Sequence, residues 1–80
     1  MKIEIALFGI IKEIVGASSL SYELTEGKNV NALLEKLHQE YPRLQNLKSL
    51  LVAVNSEYAD DEQVLSEKDE IALIPPVSGG

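Results

Sequence analysis

The chemistry open to this chain lies at its end, in Pro75-Pro76-Val77-Ser78-Gly79-Gly80. Gly79 and Gly80 carry no Cβ, so these two residues can thread a channel too narrow for any side chain and leave the terminal carbonyl open to a nucleophile. The carboxyl of Gly80 is then the reactive handle. A carboxylate resists attack through its charge and resonance, whereas an acyl adenylate carries a good leaving group. Activation by ATP on a partner enzyme would therefore permit sulfur to replace oxygen. The diproline favours a stiff polyproline conformation at about 3.1 Å per residue, so six residues could hold the tip roughly 20 Å beyond the body. The alternative for the same residues is a frayed terminus of small side chains.

Side-chain chemistry is sparse. There is one histidine, His38, and no cysteine, and no serine is held near a base by its spacing. His38 sits beside a helical stripe and reads as a flanking surface residue. Asp60-Asp61-Glu62 lacks the alternating oxygen ligands and central glycine of a calcium loop, so it reads as a solvated acidic loop and no metal site is expected. Gly9, Gly16 and Gly27 are isolated, which excludes a glycine-rich phosphate loop.

Bulk composition sets the scale. Eighty residues make one domain with a compact core and modest stability. Hydrophobic residues at 45% and charged residues at 25% are those of a globular protein rather than a disordered or membrane-spanning one. The net charge of −6, with seven scattered basic residues, argues against nucleic acid and suits a basic protein partner. Without cysteine, neither disulfides nor thiolate metal sites are available, so a reducing compartment is no hardship and the cytoplasm is the expected location. No signal peptide is legible in the first residues, and no stretch approaches membrane-spanning length.

The elements that must position the tail follow from periodicity. Ile3, Ile5 and Leu7 alternate with Lys2, Glu4, Ala6 and Phe8 as a first strand. Ile10, Ile11, Ile14 and Val15 make about a turn of helix, and Gly16 can supply its left-handed stop. Leu20, Tyr22 and Leu24 mark a second strand. Asn29 is a good N-cap for a helix whose stripe is Val30, Leu33, Leu34, Leu37 and Tyr41, ended by Pro42. Leu50 to Val54 reads as a buried strand, a very short edge strand falls near Tyr58, and Ile71 to Ile74 is the last strand before the prolines. The class is α+β, with a mixed sheet of four to five strands packed on one main helix. The order of elements is similar to the ubiquitin-like β-grasp, with residues 1–74 as the domain and 75–80 as a flexible C-terminal tail.

If Ile3, Ile5, Leu7, Ile71 and Leu73 face the helix, then Ala6, Phe8, Ala72 and Ile74 share the opposite face, where nothing from this chain covers them. The expected reading is a partner-binding surface centred on Phe8 and Ile74, with Tyr58 at its edge and the tail residues Pro75, Pro76, Val77 and Ser78 leading into the partner.

Ala53-Val54-Asn55-Ser56-Glu57-Tyr58-Ala59, Asp69-Glu70-Ile71-Ala72-Leu73-Ile74 and above all the Pro-Pro-Val-Ser-Gly-Gly ending closely resemble the small, sulfur-carrying subunit of molybdopterin synthase. Leu7-Phe8-Gly9 and Lys12-Glu13-Ile14-Val15-Gly16 extend the resemblance over essentially the whole chain. It implies that an enzyme related to the ubiquitin-activating enzymes adenylates Gly80, that a sulfur donor protein converts it to a thiocarboxylate, and that Gly79 keeps the channel passable. The sulfur would pass to cyclic pyranopterin monophosphate in the large synthase subunit, within a heterotetramer of two small and two large subunits. The chain would then be a sulfur-donating subunit rather than a complete enzyme, with no bound cofactor of its own and ATP consumed by the activating enzyme. One departure is Lys68, which stands where the family usually has a glycine; a turn needing positive φ there would be strained. Two alternatives remain within the fold, a ubiquitin-like protein modifier and a thiamine-pathway sulfur carrier, although thiamine carriers tend to be shorter and to lack the Pro-Pro-Val-Ser lead. A third is an adapter that binds through its sheet and never reacts.

Overall fold

A computed structural model describes residues 1–47 and 50–75 of the chain. β1 (Lys2–Leu7) follows the alternation of its sequence, with Ile3, Ile5 and Leu7 buried and Lys2, Glu4 and Ala6 exposed. A short helix, α1 (Ile10–Val15), buries Ile11 and ends at Gly16, whose N–H donates to the carbonyl of Lys12 and whose φ of 85° turns the chain out of the helix in the left-handed cap that glycine adopts most readily. β2 (Ser19–Glu23) then returns antiparallel to β1.

The main helix, α2 (Val30–Glu40), starts where Asn29 Oδ1 accepts the Ala32 N–H at 3.0 Å, satisfying one of the free donors of the first turn. It buries Val30, Leu33 and Leu37. Leu34 and Tyr41 are half-buried, packed against the core from its margin.

Pro42 ends α2 as expected, but the chain does not simply leave the helix: Pro42–Asn46 forms a turn of 3-10 helix. Proline suits the first position of a helix because its missing N–H would be unpaired there anyway. This turn drives Leu44 into the core.

Among the described residues, β3 (Leu51–Val54), β4 (Glu57–Tyr58) and β5 (Ile71–Ile74) complete one sheet in the order β2-β1-β5-β3-β4. β1 and β5 are parallel neighbours at its centre and the other pairs are antiparallel. With α2 on one face, this is the ubiquitin-like β-grasp. β3 begins at Leu51 rather than Leu50, because Leu50 turns toward the core margin outside the ladder.

Asn55 and Ser56, with φ of 53° and 72°, make the tight β3–β4 hairpin, a conformation that asparagine tolerates better than most residues. The loop that follows is pinned rather than loose. Val30 N–H donates to the Gln63 carbonyl and Asn31 N–H to the Asp61 carbonyl, so this loop serves two free donors at the start of α2. Val64 bridges Asn29, and Leu65 is buried. At Lys68 φ is not positive; the turn is closed by Asp69 N–H on the Ser66 carbonyl and by Ser66 N–H on Asp69 Oδ2, which a lysine accommodates. No helix among the described residues is long and apolar enough to cross a membrane.

Candidate functional site

The sheet face away from α2 is built by register. Side chains paired across neighbouring strands point the same way, and one row crosses all five strands as Ser19, Ala6, Ala72, Ala53 and Tyr58. Small side chains through the middle of this row leave the surface flat. In the next row, toward the end of β5, Leu51 stands opposite Ile74, and Phe8 follows β1 on the same side as the next residue after the Leu7–Leu73 pair. Phe8 is 49% exposed, Leu51 40% and Tyr58 72%, while Ala72 and Ile74 are half-buried. These large apolar side chains lie open and side by side as one uncovered patch.

The opposite end of the same face is charged, with Lys2 standing across from Glu23. Glu4 accepts a hydrogen bond from the Ser21 hydroxyl at 2.7 Å. Asn55 donates to Asp69 Oδ1 and accepts from the Glu70 N–H, both at 2.9 Å. Together with Glu23 these carboxylates lie away from the end of β5, so the face runs from charged to apolar toward the point where the tail begins. A shallow, open hollow lined by Glu4, Ile5, Ala6, Ser19, Asp69, Glu70 and Ile71 lies at the charged end.

Of the residues singled out from the sequence, Phe8, Tyr58 and Ile74 lie on this one face, and Pro75 continues from Ile74, half-buried. Pro76, Val77, Ser78, Gly79 and Gly80 lie outside the described residues. Three further large apolar residues are exposed among the described residues, Ile10, Leu51 and, in the loop after β4, Val64. Leu51 is hidden in the unbroken run Leu51-Val52-Ala53-Val54, whose other three residues are all buried, and only its pairing with Ile74 reveals which face it takes. Ile10 belongs to the helical turn that spacing predicts, yet it is 47% exposed. Its place directly after Gly9 is the one local signal.

Among the described residues no group of three or more histidine, cysteine or carboxylate side chains is gathered to hold a metal ion. His38 is half-buried on α2, across the core from the open face. One titration is displaced: Tyr22 donates to Glu40 Oε2 at 2.5 Å, and burial of the ring, the hydrogen bond and the nearby carboxylate all hold its hydroxyl above the ordinary range. That pair ties β2 to the end of α2.

The chain belongs to the ThiS family, whose model matches residues 5–80. Within it, the chain belongs with the molybdopterin synthase sulfur carrier subunits. It is 42% identical to the protein of that name from Dictyostelium discoideum, over 96% of this chain and 94% of the relative. The protein of that name from Arabidopsis thaliana is 33% identical, over 100% of this chain and 84% of the relative. Among solved structures, SAMP1 from Haloferax volcanii matches with a TM-score of 0.84 and 27% identity, covering 100% of both chains. A protein–protein complex of subunits 1 and 2 of the molybdopterin-converting factor from Helicobacter pylori 26695 contains a chain matched at a TM-score of 0.71 and 26% identity, again over 100% of both.

Proposed function

We propose that this chain carries sulfur for a molybdopterin synthase on the carboxyl of Gly80. The observation that carries the reading is the continuity of the apolar face of Phe8, Leu51, Ala72 and Ile74 with Pro75, in a chain of this family whose last residues are Gly-Gly. The face docks and the end reacts. The carboxylate of Gly80 attacks the α-phosphate of ATP on an activating enzyme and pyrophosphate leaves. The outer sulfur of a persulfide on a sulfur donor protein then attacks the acyl carbon and adenylate leaves with the bonding pair; a thiol cleaves the resulting acyl disulfide, forming a disulfide with the donor's cysteine sulfur and leaving the outer sulfur on the acyl group as a thiocarboxylate. Transfer of that sulfur to cyclic pyranopterin monophosphate, with water supplying the returning oxygen, regenerates the carboxylate.

The partner for this last step is the large synthase subunit, in an assembly of two small and two large chains. The two-subunit complex from Helicobacter pylori supports such a partner. The flat row of alanines supports the same reading, because a planar face fits a second protein rather than a small molecule, which takes a concave site. Phe8, Leu51, Tyr58 and Ile74 would supply the contact and Pro76, Val77 and Ser78 the passage, with Gly79 keeping it narrow.

The test is mass spectrometry of the chain after incubation with the activating enzyme, ATP and a sulfur source. The terminal peptide should gain the mass difference between sulfur and oxygen, and an unchanged peptide with active partners would refute the assignment. A second reading is favoured by the likeness to SAMP1, a small archaeal modifier protein: attachment of Gly80 to lysines of other proteins. Isopeptide-linked conjugates recovered from cells would support it.

A further inference from the structure

Gly9 and Pro75 meet where two parallel strands leave the sheet. Leu7 of β1 stands beside Leu73 of β5, and two residues further on the chains diverge. β1 turns into α1 through Gly9, whose φ of 57° and ψ of −137° form a backbone conformation reserved almost wholly for glycine. The carbonyl of Gly9 accepts the Lys12 N–H at 3.1 Å and so opens the helix. β5 continues to Pro75, the last described residue before the reactive end.

A Cβ on Gly9 would lie 2.8 Å from Pro75 Cγ, with Cδ at 3.8 Å and Cβ at 3.9 Å. Carbon atoms in contact settle near 3.5–4.0 Å, so the bare α-carbon is what admits the ring. The ring can change its pucker but cannot swing aside, because it closes on its own backbone nitrogen. Gly16 and Gly27 also have positive φ, yet nothing lies within 4 Å of the place where their Cβ would be. Among these three glycines, only Gly9 joins a special conformation to a close approach.

We propose that Gly9 is a positioning residue for the chemistry at Gly80: it forms the notch that seats Pro75 and so fixes where and in which direction the reactive end leaves the docking face. This rests on the sulfur-carrier reading. The root of the tail is set by the same turn that carries Phe8, so the docked face and the departing chain share one frame. A shift at Pro75 passes through five further residues before it reaches the carboxyl. Docking through Leu51 and Ile74 would survive such a shift, whereas alignment of the carboxyl with ATP would not, and a misplacement of about 1 Å can cost a hundredfold in rate.

The first measurement needs no partner. In the NMR spectrum of the wild-type chain, nuclear Overhauser contacts between the Gly9 Hα protons and Pro75 Hγ are expected, and their absence overturns the inference. The second is ATP–pyrophosphate exchange with the activating enzyme, comparing wild type, Gly9→Ala, Pro75→Ala and the double variant. Gly9→Ala should lower kcat by about tenfold or more while KM for the chain moves less than about threefold. Pro75→Ala removes Cγ and makes room for the new methyl, so the double variant should be no slower than Pro75→Ala alone. Independent, multiplying effects of the two substitutions would overturn the proposal, as would a rise in KM at constant kcat. Should Gly9→Ala fail to fold, Pro75→Ala alone still decides: kcat must fall at unchanged KM. A wild-type chain inert toward ATP would instead remove the carrier reading, and with it any positioning role for a notch that the NMR contacts could still verify.

Discussion

Leu51 and Ile74 stand directly opposite one another on β3 and β5, both on the sheet face that α2 leaves uncovered. Leu51 is exposed enough that its side chain contributes little to folding, so binding and stability separate at this position. Leu51→Glu should change unfolding stability by no more than about 0.5 kcal/mol. It should weaken binding to the large synthase subunit by about tenfold or more, a loss of about 1.4 kcal/mol. Isothermal titration calorimetry beside a thermal melt checks both, and wild-type affinity in the variant would move the docking surface elsewhere.

Leu44 occupies the core through the 3-10 turn that follows α2, and it is 1% exposed. Truncation to alanine removes its contacts and leaves a cavity that the neighbouring chain can fill only in part. A loss of about 2–5 kcal/mol is expected, from a total of roughly 4–12 kcal/mol for a domain of this size. Urea unfolding reads the difference directly. A loss under about 1 kcal/mol would mean that the turn does not hold Leu44 inside.

Leu33 is legible in the sequence and Leu44 is not, because different things encode their burial. Val30, Leu33 and Leu37 repeat at helical spacing behind an asparagine cap, and local pattern alone fixes their face. The alternation of Ile3, Ile5 and Leu7 does the same for β1, and with Ile71 and Leu73 it is enough to assign Phe8, Ala72 and Ile74 to the open face. Leu44 and Leu65 stand in polar surroundings with no period to report them. Their burial comes from tertiary closure: the turn after Pro42 folds one inward, and the Asn29–Val64 bridge draws in the other. Leu51 is illegible for the opposite reason, since an apolar residue in an all-apolar run carries no sign of which side it faces. The Gly9–Pro75 contact joins residues 66 positions apart in the sequence, and nothing local to either residue announces it.

Tyr22 and Glu40 make stability depend on pH at the alkaline end. The Tyr22 hydroxyl is held above its ordinary value of 10.0 in the folded chain, by burial first and then by the hydrogen bond to Glu40 and its charge. Below pH 10 the proton is bound in both states and the stabilisation is fully present. As the pH rises further, the unfolded chain releases the proton first, so stability falls toward the folded value. Tyr22→Phe should therefore lose less stability than wild type between pH 8 and about pH 11, as read from urea midpoints. At neutral pH the same substitution should cost less than about 1 kcal/mol, because the hydrogen bond is open to water. Parallel declines for the two proteins would show that this hydroxyl titrates alike folded and unfolded.

The reactive end separates the carrier from the adapter. An adapter that binds through Phe8, Leu51 and Ile74 has no use for a free terminal carboxyl, so one alanine appended after Gly80 should leave its function intact. A carrier presents the appended residue's carboxyl beyond the two glycines, with a methyl group in a passage shaped for bare α-carbons and the acyl carbon advanced by one residue, up to about 3.3–3.6 Å. Adenylation should fall by about a hundredfold or more, while binding to the activating enzyme through the sheet face stays within about threefold. The melting temperature should not change, because the addition lies six residues beyond Pro75, away from the buried core. Undiminished pyrophosphate exchange by the extended chain would place the chemistry away from the terminal carboxyl, whereas a lowered melting temperature would show the tail to be part of the folded body.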